Sequence, residues 1–286
     1  MYRIYHLCIM RLIKIIGFSH ILIALGAGAT VYLSGFVLGL GGTFFESSLL
    51  VGAFTGLGYT TQRLIKTIFF PSSAPVERNE YMNRYGIGLL IIWSAIVIST
   101  FLFVDLIFSS STIILGFFLI TIGLMYALIP LREIPYLKLP LISFVWGVAT
   151  VLLPLYLNGL DGRVDIFIVL AVVLSRGLYI SGLTIPFDVR DLKIDRLDMK
   201  TVPQTMGISS SLCWAMILVG ASAFLWFGLV ASESINKYVG VALGIHAIIT
   251  IPFVSPRFAG IKRSEIYHTL ILDGLILFQI CALPIS

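Results

Sequence analysis

The stretch Ile166–Gly207, IFIVLAVVLSRGLYISGLTIPFDVRDLKIDRLDMKTVPQTMG, decides how the rest of the chain is read. Its first half, Ile166 to Phe187, is apolar over the length that a helix needs to cross about 30 Å of hydrocarbon. Its second half turns abruptly charged. Asp188, Asp191, Asp195 and Asp198 are spaced three, four and three apart, and at about 100° per residue they fall within roughly 80° of one helix face. Arg190 and Lys193 are expected to point away from that sector. Four aligned carboxylates repel one another unless a cation sits among them, and hard divalent ions with oxygen ligands are a common solution. The competing reading is a solvated, salt-bridged helix end.

Outward from this stretch, eight further apolar runs lie at about Leu12–Leu40, Ser47–Phe69, Tyr85–Ile107, Thr112–Pro130, Leu139–Leu157, Met206–Val230, Tyr238–Val254 and Ile266–Pro284. The expectation is an all-α, polytopic membrane bundle of about nine transmembrane helices in a single integral domain, residues 1–286. Composition agrees: of 286 residues 58% are hydrophobic and 12% charged, too few polar groups to cover a soluble domain of this size.

Charge tests the span count, because Lys and Arg accumulate on the cytosolic side of membrane helices. Arg3, Arg11 and Lys14 open the first span. Arg63, Lys66, Arg78 and Arg84 flank the second connection, Arg132 and Lys138 the fourth, Arg190, Lys193, Arg196 and Lys200 the sixth, and Arg257, Lys262 and Arg263 the eighth. The opposite connections hold Arg163 and Lys237. That alternation places the N-terminus in the cytosol and the C-terminus on the other side of the bilayer. The net charge of +5 is spread over loops rather than gathered into an aromatic-interleaved patch, which argues against nucleic acid as a partner. Cys8, Cys213 and Cys281 are isolated and indicate neither a disulfide framework nor a zinc site. The basic-then-apolar start, Met1 to Ala29, superficially matches a signal peptide. Its apolar run continues to Leu40 without a convincing cleavage site, so it is read as a retained helix.

The pattern Asp188, Asp191, Asp195, Arg196, Thr201, Pro203 resembles the second aspartate-rich motif of the UbiA superfamily of intramembrane prenyltransferases. Members of that family have nine transmembrane helices, with motifs in the cytosolic connections after helices two and six, and the span count and charge alternation agree with both placements. Tyr126, Arg132, Lys138 and Gly147 also resemble the family's segment after helix four. The resemblance implies a transferase that moves or cyclises an isoprenyl group from its diphosphate, with Mg²⁺ helping to ionise the carbon–oxygen bond. It implies Asp188, Asp191 and Asp195 as metal ligands, and Arg63, Lys66, Arg132 and Lys138 as diphosphate-binding residues. Tyr59, Gln62, Tyr126, Arg176 and Asp198 are further candidates, and the acceptor is an unspecified lipophilic or aromatic molecule.

One side of the motif pair departs from the family. The helix-two stretch is YTTQRLIK, with Thr60, Gln62 and Lys66 where the resemblance places an Asn and two Asp. Tyr59, Gln62 and Lys66 keep the three-then-four spacing of Asp188, Asp191 and Asp195 while exchanging two negative charges for one positive. Lys66 either contacts the diphosphate directly, which keeps an enzyme, or neutralises the acidic face in place of metal, which leaves a non-catalytic protein that binds an isoprenoid or a partner.

Arg176 and Asp273 are ionisable residues inside apolar runs and so functional candidates. The plainer expectation for Arg176 is a pair inside the bundle with a carbonyl or with Asp273 or Asp105. His20 and His246 read as packing histidines. A secondary transporter ranks last, since no matched pair of interrupted helices is visible.

Overall fold

Apolar runs bounded by charged connections become helices because a backbone in lipid has no water to satisfy its N–H and C=O groups. The computed structural model describes residues 14–69, 76–128, 134, 136–192, 200–260 and 263–283, and among them there is no strand. The elements are α1 (Ile21–Val37), α2 (Phe45–Phe69), α3 (Val76–Phe103), α4 (Ser110–Leu128), α5 (Lys138–Leu157), α6 (Ile166–Asp191), the short α7 (Val202–Met206), α8 (Ile208–Ala231), α9 (Lys237–Val254) and α10 (Tyr267–Ala282).

Among the described residues five helices, α3, α5, α6, α8 and α9, are long and apolar enough to cross a membrane. Shorter apolar helices lie at Ile21–Val37, Ser110–Tyr126 and Tyr267–Ala282. α2 is 25 residues long but carries Glu46, Gln62, Arg63 and Lys66. The large side chains that face outward, among them Ile87, Leu102, Phe103, Ile114 and Phe117, are what a lipid-facing surface needs. The chain is a membrane protein of helical architecture.

The first apolar run differs from its expected form. It is broken at Ser19 and His20, where His20 adopts a left-handed backbone, φ 63°, between a helical stretch at residues 14–18 and α1. That conformation is uncommon outside glycine. Two cross-helix bonds hold it: the Trp93 indole donates to the Ser19 carbonyl at 3.0 Å, and His20 Nδ1 lies 3.0 Å from Thr60 Oγ1.

Two π-turns were also invisible as apolar pattern. One, Val148–Leu152, precedes Pro154 in α5, and the other, Tyr267–Leu272, opens α10 and ends at Asp273. α6 begins with Asp165, whose side chain accepts from the Phe167 N–H at 2.7 Å, and carries Pro186 just before Asp188. The proline removes one ladder hydrogen bond close to the charged end of the helix.

α6 packs most extensively against α8 and also lies along α5, while α1 packs on α2 and α10. Glycines set the close approaches. A Cβ at Gly182 of α6 would lie 2.8 Å from the Ala215 carbonyl oxygen and 2.5 Å from a Val219 methyl of α8. We expect Gly182→Val to cost about 1–3 kcal/mol through overpacking. Gly88→Val, with nothing within 4 Å of the added Cβ, serves as the control. Thermal unfolding of both variants in the same detergent checks this; equal midpoints would mean that the α6–α8 contact is not tight.

Candidate functional site

α1 to α6 and α10 line a cavity of about 740 Å³. Most of its wall is apolar, with Phe54, Phe101, Phe108, Phe117 and Trp146 among the larger side chains. Its remaining wall carries the ionisable groups. Five basic residues, Arg63, Lys66, Arg78, Lys138 and Arg190, and three acids, Asp188, Asp191 and Asp273, line it.

α2 contributes Tyr59, Gln62, Arg63 and Lys66, which recur along the helix at intervals of three or four and so share a face. The Lys66 ammonium lies 5.6 Å from the centre of the Tyr126 ring of α4. Gln62, placed where the resemblance expects an acid, donates from Nε2 to the Gly123 carbonyl at 3.2 Å and so ties α2 to α4.

α6 contributes Asp188 and Asp191, and each already holds a cation. Lys138, at the start of α5, forms a salt bridge with Asp188, whose side chain is almost wholly buried. Arg190 grips Asp191 with Nε and Nη2, at 2.7 and 2.8 Å from the two carboxylate oxygens. This corrects the expectation that Arg190 points away from the acids. A helical wheel places its Cα off that face, but the long side chain folds back over its neighbour. Arg190 Nη1 also reaches Glu265 at 3.2 Å, and Glu265 forms a second salt bridge with Arg78. Arg78, Glu265, Arg190 and Asp191 thus form one chain of alternating charge across three parts of the sequence.

Arg176 lies elsewhere. It is buried between α6 and α8, its guanidinium 5.0 Å from the Trp226 ring centre, and it donates to Gln279 Oε1. Of the expected partners, a carbonyl or Asp273 or Asp105, it is a carbonyl that serves, the side-chain amide oxygen of Gln279. Asp105 instead donates its backbone N–H to Glu46 at 2.7 Å. Asp195, Asp198 and Arg132 lie outside the described residues.

Lys138 bonds Asp188 through Oδ1 and Arg190 holds both oxygens of Asp191, so cations of the protein sit where the resemblance implies a divalent ion. Among the described residues no group of three or more His, Cys, Asp or Glu side chains could hold a metal. The arrangement suits an anion better. With Glu265 counted, the cations still outnumber the acids at this end, and guanidinium and ammonium groups in partly dry surroundings bind phosphate oxygens strongly.

Glu265 and the lining position of Arg78 were missed from sequence. Glu265 stands 187 residues from Arg78 and 75 from Arg190, so no local spacing could join them. Comparison with protein-family models, with curated proteins and with solved structures finds no match for this chain.

Proposed function

We propose that this chain is an intramembrane prenyltransferase of the UbiA type, which binds an isoprenyl diphosphate and transfers or cyclises its hydrocarbon chain. The observation that carries this reading is a single cavity with a long apolar wall and five Lys and Arg side chains on its polar part. An amphiphile with an anionic head and a greasy tail matches both parts, and about 740 Å³ lies within the range of roughly 300–1,000 Å³ that encloses drug-sized ligands.

In this reading Arg63, Lys66 and Lys138 meet the diphosphate oxygens, with Arg78 and Arg190 adding to the positive field. Charge that develops on the leaving diphosphate is stabilised by groups already in position, which lowers the barrier to breaking the carbon–oxygen bond. The aromatic and aliphatic wall holds the chain and keeps water from the carbocation. Nine membrane crossings, with the basic connections and the site on the cytosolic side and the C-terminus opposite, belong to the same proposal and rest on the alternation of Lys and Arg. The two described acids of the motif carry cations of the protein, so the positive charge that the family resemblance assigns to Mg²⁺ is assigned here to side chains.

The test uses the full chain in lipid nanodiscs with geranylgeranyl diphosphate. Saturable binding is expected to stay within about threefold when EDTA replaces Mg²⁺, a change under 1 kcal/mol, and inorganic diphosphate is expected among the products. A more than tenfold loss in EDTA would return Asp188 and Asp191 to the role of metal ligands. A second reading, a non-catalytic isoprenoid-binding protein, is favoured by the same ion pairs on the acidic face. It predicts binding without any release of diphosphate.

A further inference from the structure

Three polar groups on the cavity wall take no part in the ion pairs described above. Asp273 stands where the π-turn at the start of α10 gives way to α-helix, and it lines the cavity. Among the described residues its carboxylate makes no hydrogen bond or salt bridge. The Tyr59 hydroxyl likewise has no hydrogen-bond partner among them, and Asp273 lies within electrostatic range of it. His20, held in its left-handed conformation, spends Nδ1 on Thr60 and leaves its other ring nitrogen for the cavity. The His20 and Tyr59 ring centres are 6.1 Å apart.

Polar groups that face a largely apolar cavity without protein partners are open to a ligand that completes their hydrogen bonds. Asp273 also places a carboxylate in a mainly apolar helix, where an ionisable group is costly. We propose that Tyr59, His20 and Asp273 form a second subsite of the cavity, which takes a neutral, hydroxyl-bearing acceptor, and that Asp273 accepts its proton. This rests on the prenyltransferase reading above.

The choice of a hydroxyl follows from the three partners. An ionised carboxylate only accepts hydrogen bonds, while a phenol and an imidazole each both donate and accept, so their combined complement is a group that gives one proton and receives another. An acceptor bearing a carboxylate at this point would have no proton to give to Asp273. In the reaction the bond between the chain's C1 and the diphosphate oxygen breaks, and its electron pair leaves on the diphosphate. The acceptor oxygen then bonds to C1. Its proton passes to the Asp273 carboxylate and from there to water, which restores the site.

The experiment uses the full chain in nanodiscs with geranylgeranyl diphosphate and two probe acceptors of similar hydrophobicity, dioleoylglycerol and oleate. The natural protein is expected to form the ether with dioleoylglycerol and no ester with oleate. Asp273→Asn should keep geranylgeranyl diphosphate binding within about threefold while kcat for ether formation falls on the order of 100-fold. Asp273→Glu should restore part of that loss. Failure of the natural protein to bind geranylgeranyl diphosphate would overturn the prenyltransferase reading itself. Binding with no ether, or transfer to oleate instead, would overturn only the hydroxyl subsite. Ether formation by Asp273→Asn at the natural rate would remove Asp273 as proton acceptor, and loss of diphosphate binding in that variant would assign it to the charged part of the cavity.

Discussion

Replacing Lys138 by Met is expected to destabilise the protein by about 3–5 kcal/mol, because it takes the Lys138 ammonium away from an Asp188 carboxylate that is almost wholly buried. The magnitude follows from an asymmetry. A buried ion pair adds little over a well-packed apolar pair, yet removing one partner leaves an uncompensated charge. The double variant Lys138→Met with Asp188→Asn should therefore recover most of the loss, since neither side chain then carries a charge. Unfolding of the natural protein and the two variants, by heat or by SDS titration in one detergent, measures both effects. If the single substitution costs less than about 1 kcal/mol, as a solvated surface pair would, then Asp188 is hydrated and the acidic face looks outward.

The second large effect concerns the opposite wall. Arg63→Gln together with Lys66→Gln is expected to weaken geranylgeranyl diphosphate binding on the order of 100-fold or more, since each charge-assisted hydrogen bond contributes about 1.5–3 kcal/mol. Geranylgeraniol, which carries the same chain without the charge, should bind both proteins alike. The contrast between the two ligands separates loss of the anion site from collapse of the cavity. Equal affinity of the diphosphate for the natural and doubly substituted proteins would dismiss α2 as part of the head-group site. Both charges line the cavity from one helix, and Lys66 reaches the Tyr126 face from there.

The helical, membrane-embedded character was legible because lipid imposes one rule on every run: about 20 apolar residues with the backbone satisfied within the helix. α6 shows how far this goes. Its expected start at Ile166 coincides with the helix that Asp165 caps, and only its end moves, from Phe187 to Asp191. The break at His20 was not legible, because nothing in the local sequence announces a left-handed histidine; its support comes from Trp93 and Thr60, far along the chain. The π-turns escaped for a related reason, since an extra residue per turn leaves an apolar run apolar.

The candidate site was legible in its parts and not in its connections. The spacing of Asp188 and Asp191 and that of Tyr59, Gln62 and Lys66 each defined a face, and the structure brings the two faces to one cavity. Which cation serves which acid depends on side-chain reach across helices. From sequence Lys66 was open to two roles, contact with the diphosphate or neutralisation of the acidic face. Ion pairs on that face come from Lys138, fifty positions from its partner, and from Arg190, one position away. A wheel diagram fixes Cβ directions and says nothing of where a guanidinium several bonds further out comes to rest.

Trp93 has a mechanical consequence. Its indole N–H grips the Ser19 carbonyl ahead of α1, while its ring occupies the space a side chain at Gly56 of α2 would fill, with ring atoms 2.5 Å from the position of such a Cβ. A single rivet therefore fastens three segments of the bundle. Shortening it to Leu would release a strand of backbone, open a void and unseat a helix crossing in the same stroke, far from any charge. Damage at that one residue would travel to the chamber through its walls.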